Sequence, residues 1–360
     1  MTTKYPFYLK STVILLGLAL LIFVFAQLGD ILIPFCFAAM LAILLNPLCN
    51  WLQSKKVPKP LSIFICLLVA TLVFGIIAYF VVTQMASFTT ETPILKKKCL
   101  ELFAKLQQFI DQRVGINMKK QNEWLTEAQA GLKPLAGSAI SGMFGVLSML
   151  FLLPVYTFLI LFYKNLIINF VYEIFAKQNT NEVKEVLSQT KGAIQSYMSG
   201  LLIEALIVAV MNSAALLLIG VKYAILIGVL GALLNMLPYI GGLVAIAMPV
   251  LISTITSDGF QMQLWVIVAY LVIQFIDNNF LVPYIVSSRV KINALFSILI
   301  VLMGGALWGI SGMFLSIPFI GLLKIIFDRI PELKPWGKLL GDEIPTKHFG
   351  AMKRIAKKAA

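Results

Sequence analysis

Apolar stretches alternate with short polar segments along the whole chain. A helix needs about 20 apolar residues to cross the hydrocarbon core of a bilayer. Six apolar stretches, each with at most one charged residue, reach or approach this length: 11–29, 31–49, 61–84, 139–163, 198–220 and 260–282. Two further stretches, 223–257 and 292–323, are longer and contain no charged residue. This pattern predicts an all-α, polytopic membrane protein with about eight hydrophobic segments.

The composition agrees with this interpretation and excludes several protein classes. Of the 360 residues, 60% are hydrophobic and 12% are charged, whereas an average soluble domain has about 25% charged residues. A soluble chain could not bury so much apolar surface, because about a quarter of its unfolded surface stays exposed after folding. An ordinary cytoplasmic enzyme, a disordered chain and a secreted disulfide scaffold are therefore excluded.

Two polar segments, 85–138 and 164–197, interrupt the apolar pattern. Each places aliphatic residues at helical spacing among charged ones, which is typical of amphipathic helices at a membrane surface or against neighbouring subunits. We therefore divide the chain into N-terminal spans, a non-cytoplasmic amphipathic segment, one further span, a cytoplasmic amphipathic linker, a transport core and a basic cytoplasmic tail. The corresponding ranges are 1–84, 85–138, 139–163, 164–197, 198–330 and 331–360.

The placement of lysine and arginine residues sets the predicted orientation, because these residues accumulate on the cytoplasmic side of membrane proteins. Lys4 and Lys10 precede the first stretch, and a loop with Lys55, Lys56 and Lys59 follows the second. The C-terminal tail is also basic, which places it at the anionic inner leaflet. Both termini are thus predicted to be cytoplasmic. The net charge of +13 indicates membrane topology and attraction to lipid rather than nucleic-acid binding.

Each of the two longest stretches is interrupted near its middle by small or helix-breaking residues. The first contains NMLPYIGG at 235–242, and the second contains GGALWGISG at 304–312. The two stretches also align at an offset of 69 residues, with Pro249 matching Pro318. Each could be a re-entrant helical hairpin, giving six spans and two hairpins in an inverted repeat, or a single tilted and kinked span. Corresponding broken segments in two inverted halves indicate the binding site of a secondary transporter.

The chain offers little chemistry for catalysis. Its four cysteines lack CxxC spacing, its single histidine, His348, lies in the basic tail, and no GxxxxGK[ST] phosphate-binding loop is present. We therefore predict no enzymatic activity, no metal site and no cofactor. Without a nucleotide site, an ion gradient is the expected energy source for transport.

Charged side chains inside membrane spans are costly and usually face a cavity or a partner. Glu204 and Asp277 are the only charged residues within their spans, and either carboxylate would serve a proton-coupled mechanism. The alternatives are an interfacial carboxylate at Glu204 and a hydrogen-bond cluster around Asp277 that only holds helices together. The predicted substrate or ion path comprises Glu204, Asn212, Asn235, Pro238, Gly241, Gly242, Gln274, Asp277, Asn278, Asn279, Gly304, Gly305, Gly309 and Gly312.

Four segments in the right order resemble the autoinducer-2 exporter family of bacterial permeases. They are LPVYTFLILFYKN at 153–165, YMSGLLIEALIVA at 197–209, NMLPYIGG at 235–242 and DNNFLVPYIVSSRVKINALFSILIVLMGGALWGISGMFLSIP at 277–318. The resemblance covers nearly the whole chain. It implies about eight membrane segments, location in the bacterial inner membrane, assembly into homo-oligomers and export of small solutes. Some members are described as exporters of autoinducer-2, and others as Na+/H+ antiporters.

The predicted function is ion-coupled secondary export of a small solute across the bacterial inner membrane. The solute would be an autoinducer-2-like signalling molecule or a related metabolite, and the coupling ion H+ or Na+. A Na+/H+ antiporter on the same scaffold is the alternative, followed by a passive channel and a non-transporting membrane scaffold. Membrane lipid and further copies of the chain are the other predicted partners.

Overall fold

Helices make up every secondary-structure element that the computed structural model describes. It describes residues 6–90, 151–237, 241–257, 259–286 and 292–342, with isolated positions between 101 and 149. Most of the predicted 85–138 segment and of the first half of the predicted 139–163 span lie outside the described residues, as do Pro238 and the basic tail beyond residue 342. The helices are α1 Phe7–Gln27, α2 Gly29–Ser54, α3 Lys59–Thr90, α4 Phe151–Phe162, α5 Lys164–Ile219, α6 Ala224–Asn235, α7 Gly241–Thr256, α8 Gln261–Ile276, α9 Ala294–Arg329 and α10 Lys334–Leu340.

The number of apolar helices agrees with a polytopic membrane protein. By length and composition alone, five helices in the described ranges could cross a membrane: α2, α3, α5, α9, and α8 together with the π-helical segment Asp277–Val286 that extends it. Of these, α9 is interrupted at Trp308 and Gly309 and reaches this length only as two halves. Helix α4 and the start of α5 meet at a bend of 63° and could together make a sixth span. The prediction of an all-α, polytopic membrane fold is therefore confirmed.

The first long apolar stretch forms two short helices, α6 and α7, that pack against each other. With 12 and 16 residues, they are about 18 and 24 Å long at 1.5 Å per residue, which is less than the ~30 Å of a hydrocarbon core. The two backbones approach closely at Gly241, where a β-carbon would overlap the carbonyl group of Leu234. This stretch is therefore a helical hairpin with its tip between Asn235 and Gly241.

The second long stretch, α9, also folds back on itself. Non-helical backbone at Trp308 and Gly309 interrupts it, and Gly309 has a φ of 59°, a left-handed conformation that glycine adopts without steric cost. The Ser316 hydroxyl donates to the Ile300 carbonyl over 3.0 Å, although a straight helix would separate these residues by about 24 Å. Both broken stretches are thus hairpins and not single tilted spans.

The positions of the two turns support the predicted internal repeat. The 69-residue offset carries the interval from Asn235 to Gly241 onto residues 304–310, which contain the turn at Trp308 and Gly309. Each hairpin also follows a long helix, α5 in the first unit and α8 with its π-helical extension in the second. The orientation of the two units relative to a membrane stays a prediction.

Helix α5 runs without interruption over 56 residues. It joins the predicted linker 164–197 and the following span into one element, because no proline occurs between Lys164 and Ile219 to end the helix. Arg329 forms a bidentate salt bridge with Glu185 over 2.9 and 2.6 Å, which connects the polar part of α5 to the end of α9. The cytoplasmic position of the linker stays a prediction.

An apolar cluster brings both hairpin tips to the same region. Met236 from the first tip and Trp308 from the second pack against a buried core made of Met40, Tyr197, Leu201, Val286 and Leu315. Val286 ends the π-helical segment that begins at Asp277. The cluster therefore also contacts the far end of the segment that begins with Asp277.

Crosslinking can distinguish the second hairpin from a single span. In a chain whose native cysteines are replaced by alanine, we expect Ile300→Cys and Ser316→Cys to form a disulfide under mild oxidation, because these positions are in contact. Leu322 lies about 9 Å further along the helix, so the control pair Ile300→Cys with Leu322→Cys should stay reduced. Mass spectrometry of proteolytic fragments measures both pairs, and a reduced first pair would contradict the hairpin.

Candidate functional site

Two buried carboxylates lie close together where three helical elements meet. Glu204 belongs to α5 and Asp277 begins the π-helical segment, and the two residues are 5% and 2% exposed. Asn235, the last residue of α6, bridges them, since its Nδ2 donates to Asp277 Oδ2 over 2.8 Å and lies 3.5 Å from Glu204 Oε1. The break after α6 thus brings one amide to both carboxylates.

Neighbouring residues extend this polar group. Gln274, one helical turn before Asp277, directs its Nε2 to Asp277 Oδ2 at 3.4 Å. Gly242, in the first turn of α7, lies so close to the Gln274 amide that a β-carbon would press against it. We name Glu204, Asn235, Gln274 and Asp277 the acidic cluster. It combines side chains from α5, α6, α8 and the π-helical segment.

The electrostatics of the acidic cluster favour a positive charge. None of the ion pairs among the described residues involves Glu204 or Asp277. The carboxyl-terminal end of α6 lies at the cluster through Asn235, and the free carbonyl groups at a helix end carry a partial negative charge. Two carboxylates at membrane depth repel each other strongly because the dielectric constant is low. The cluster is therefore suited to hold a proton or a cation.

A small cavity lies beside the acidic cluster. It is on the scale of a single water molecule and is lined by Val208, Asn212, Asn235, Ala245, Tyr270, Ile273, Gln274 and Asp277. Tyr270 is not among the path residues predicted from the sequence. It lies seven residues before Asp277, which is two helical turns away on the same face. This spacing could have predicted that Tyr270 lies near Asp277.

The structure brings half of the predicted path together. Seven residues gather at the acidic cluster, the cavity and the adjacent hairpin tip: Glu204, Asn212, Asn235, Gly241, Gly242, Gln274 and Asp277. Asn278 and Asn279 are exposed. Asn278 Oδ1 accepts a 3.3 Å bond from Gln274 Nε2 at the edge of the acidic cluster, whereas the Asn279 amide donates to the Phe275 carbonyl over 2.8 Å. Pro238 lies outside the described residues. The role of all these residues in transport stays a prediction.

The predicted glycines of α9 build the second hairpin rather than the polar site. Gly304 and Gly312 lie so close that a β-carbon on either would overlap the backbone of the other, Gly305 lies against the Met313 side chain, and Gly309 forms the turn. The predicted path includes residues of both breaks and the two carboxylates, Glu204 and Asp277. Only the first break reaches them directly, and the second joins it through the apolar cluster at Met236 and Trp308.

Comparison with known proteins shows where this chain belongs. A model of the AI-2E transporter family matches residues 13–332. The "Putative transport protein YrrI" of Bacillus subtilis strain 168 is 24% identical over 314 residues, which cover 84% of this chain and 88% of the relative. The "AI-2 transport protein TqsA" of Escherichia coli strain K12 is 25% identical over 335 residues, which cover 92% of this chain and 95% of the relative. Because the family match extends over most of its length, the chain belongs to the AI-2E family of membrane transport proteins.

Proposed function

We propose that this protein exports a small polar solute across the bacterial inner membrane by ion-coupled secondary transport, with the acidic cluster in its path. The observation that carries the proposal is the buried pair Glu204 and Asp277, bridged by Asn235 at the end of a broken helix. Carboxylates at membrane depth are costly, so their presence favours a function that uses their charge. Ion coupling is such a function, because a proton or a cation can neutralise the pair.

The hairpin geometry supports a path at this point. A helix that ends inside a bilayer exposes its last carbonyl groups, which is tolerated only where protein or a water-filled cavity surrounds them. In secondary transporters, such half-helix ends hold the solute or the coupling ion near the middle of the bilayer. Asn235 ends α6 and Gly241 begins α7, so both belong to the proposed path.

The solute that we propose is autoinducer-2 or a related small metabolite. The relative TqsA is named an AI-2 transport protein, and its similarity to this chain extends over 92% of the chain at 25% identity. The amides of Asn235 and Gln274 donate and accept hydrogen bonds, and the carboxylates accept them. An opened path would therefore suit a solute with hydroxyl or carbonyl groups.

We also propose a topology and an assembly for the protein. The distribution of lysine and arginine favours a cytoplasmic position for both termini, and the basic tail would contact anionic lipid. Helices α1 and α3 expose large apolar side chains, such as Leu15 at 66% and Phe74 at 53%. These faces suit lipid tails or further copies of the chain in a homo-oligomer.

Exchange of Na+ for H+ is the second candidate function. Glu204 and Asp277 share one cluster, and the ion pairs found in the described ranges leave both without a basic partner. Either ion can neutralise such a pair, and alternate binding of two ions at one site is what an exchanger requires. The protein would then move Na+ and H+ in opposite directions without moving a solute.

Proteoliposomes test solute export directly. We expect vesicles with the purified protein to accumulate labelled autoinducer-2 against its own gradient when a pH or Na+ gradient is imposed. Asn235→Ala should lower the initial rate about tenfold, because losing a buried hydrogen-bond partner costs about 1–3 kcal/mol. Asn50→Ala is the matched control, since Asn50 is exposed on α2 and accepts only a 3.3 Å bond from Lys164 among its described contacts.

Other results would assign other functions. Downhill flux without accumulation would indicate a passive channel, and Na+/H+ exchange without solute flux would favour the second candidate. Purified protein that is inactive in every flux assay would favour a membrane scaffold. An unchanged export rate in the Asn235→Ala variant would contradict the proposed path.

A further inference from the structure

Three buried polar atoms at the small cavity have no hydrogen-bond partner among the described residues. They are Asn212 Oδ1, the Tyr270 hydroxyl oxygen and Asp277 Oδ1, and their residues are 2%, 3% and 2% exposed. Buried polar atoms without a partner are costly and uncommon in native proteins. Three of them around one cavity therefore indicate a binding site for a ligand that interacts with oxygen atoms.

The bonds around the cavity leave these oxygen atoms available. The Asn212 amide nitrogen lies 3.5 Å from the Gly228 carbonyl, so its oxygen is the atom left without a partner. Asn235 and Gln274 both donate to Asp277 Oδ2. The other carboxylate oxygen, Oδ1, accepts no hydrogen bond from the described residues.

Acidic groups without a basic partner among the described residues surround the cavity. Asp277 and Glu204 share the amide of Asn235, and the carboxyl-terminal end of α6 adds a partial negative charge. The ion pairs of the described part of the chain do not neutralise either carboxylate. Negatively charged and neutral oxygen atoms are the ligands that hard cations prefer.

We propose that this cavity binds one Na+ ion, held by Asp277 Oδ1, Asn212 Oδ1 and the Tyr270 hydroxyl oxygen. A cavity on the scale of one water molecule admits a dehydrated monovalent ion but not an organic solute. Mg2+ keeps several of its waters and Ca2+ takes about 6–8 oxygen ligands, and a space for one water molecule does not admit either ion with its coordination shell.

The Na+ site deepens the proposed function by naming its coupling ion. The use of the bound ion to drive transport rests on that function, whereas the binding itself rests on the cavity alone. Binding and flux can therefore be measured separately. This separation allows either proposal to fail without the other.

Equilibrium binding to the purified full-length protein in detergent tests the site. We expect saturable binding of radioactive Na+, which unlabelled Na+ displaces and K+ displaces much less effectively, because the cavity is small. The apparent Tm should also rise by several degrees when choline is replaced by Na+ at about 100 times its Kd. No solute is present in either measurement.

Conservative variants identify the ligands. Tyr270→Phe removes only the hydroxyl oxygen and should lower the Na+ affinity about tenfold, and Asp277→Asn should lower it further by removing the charge. Tyr284→Phe makes the same change on a residue that is 84% exposed, and Asp342→Asn neutralises an exposed carboxylate. Both controls should bind Na+ as the unchanged protein does.

Three results would overturn the Na+ site: no Na+ binding by the unchanged protein, equal displacement by K+, or full Na+ affinity in both Tyr270→Phe and Asp277→Asn. Flux measurements then separate the two proposals. Na+ binding without solute export would refute export and leave the site in place. Solute export without Na+ binding would refute the site and indicate coupling to protons.

Discussion

Asp277→Asn is expected to abolish the dependence of transport on pH and ion gradients while the amount of protein in the membrane stays unchanged. The substitution keeps the size of the side chain and an oxygen acceptor for Asn235, which donates to Asp277 Oδ2 over 2.8 Å. It removes the negative charge and the ability to bind and release a proton. The acidic cluster should therefore keep its packing and lose its coupling.

Initial rates in proteoliposomes over a range of pH, together with immunoblots of membrane fractions, measure this effect. Asp342→Asn is the control, because it neutralises an exposed carboxylate outside the acidic cluster. The same pH dependence in the Asp277→Asn variant and the unchanged protein would show that Asp277 does not couple transport to protons. Glu204→Gln in the same series would then identify whether the second carboxylate does so.

Gly241→Ala is expected to lower both stability and transport. The added β-carbon would overlap the Leu234 carbonyl and crowd the α-carbon of Asn235, so the tip of the first hairpin must open. Overpacking of this kind costs about 1–3 kcal/mol, whereas alanine in an unobstructed helix is about 1 kcal/mol better than glycine. Because Asn235 would shift away from the two carboxylates, transport should fall by more than the loss of folded protein explains.

Gly75→Ala is the matched control for this variant. A β-carbon at Gly75, within α3, would meet no atom within 4 Å, so the same chemical change should be neutral or slightly stabilising. Thermal unfolding of the purified variants, with transport rates normalised to folded protein, compares the two. Equal Tm values and equal rates for both variants would contradict the close approach at the first hairpin tip.

The helical character of the chain and the places where its helices break could be predicted because they depend on local composition. A long apolar stretch has to satisfy its backbone hydrogen bonds internally, and helices do this within one segment. The breaks at NMLPYIGG and GGALWGISG are equally local, since glycine and proline disfavour a continuous helix at those positions. Both stretches accordingly fold back close to the predicted points.

The partners of the polar residues could not be predicted in the same way. The two breaks look alike in sequence, but the first ends in Asn235, whose amide reaches the carboxylates, whereas Gly304 and Gly312 in the second bring two backbones together. Tyr270 stands in an apolar stretch, and only its spacing of seven residues from Asp277 points to a polar role. Its position at the cavity depends on how α8 packs against α5 and α6.

By itself, the sequence determined that this chain forms apolar helices, that two of them break, and that Glu204 and Asp277 are the exceptional charges. These properties follow from the free energy of transferring single residues into a bilayer, which needs no knowledge of the fold. Only the tertiary structure decided which residues share a site. Asn235 lies 31 residues from Glu204 and 42 from Asp277 along the chain, and helix packing, not sequence spacing, brings all three together.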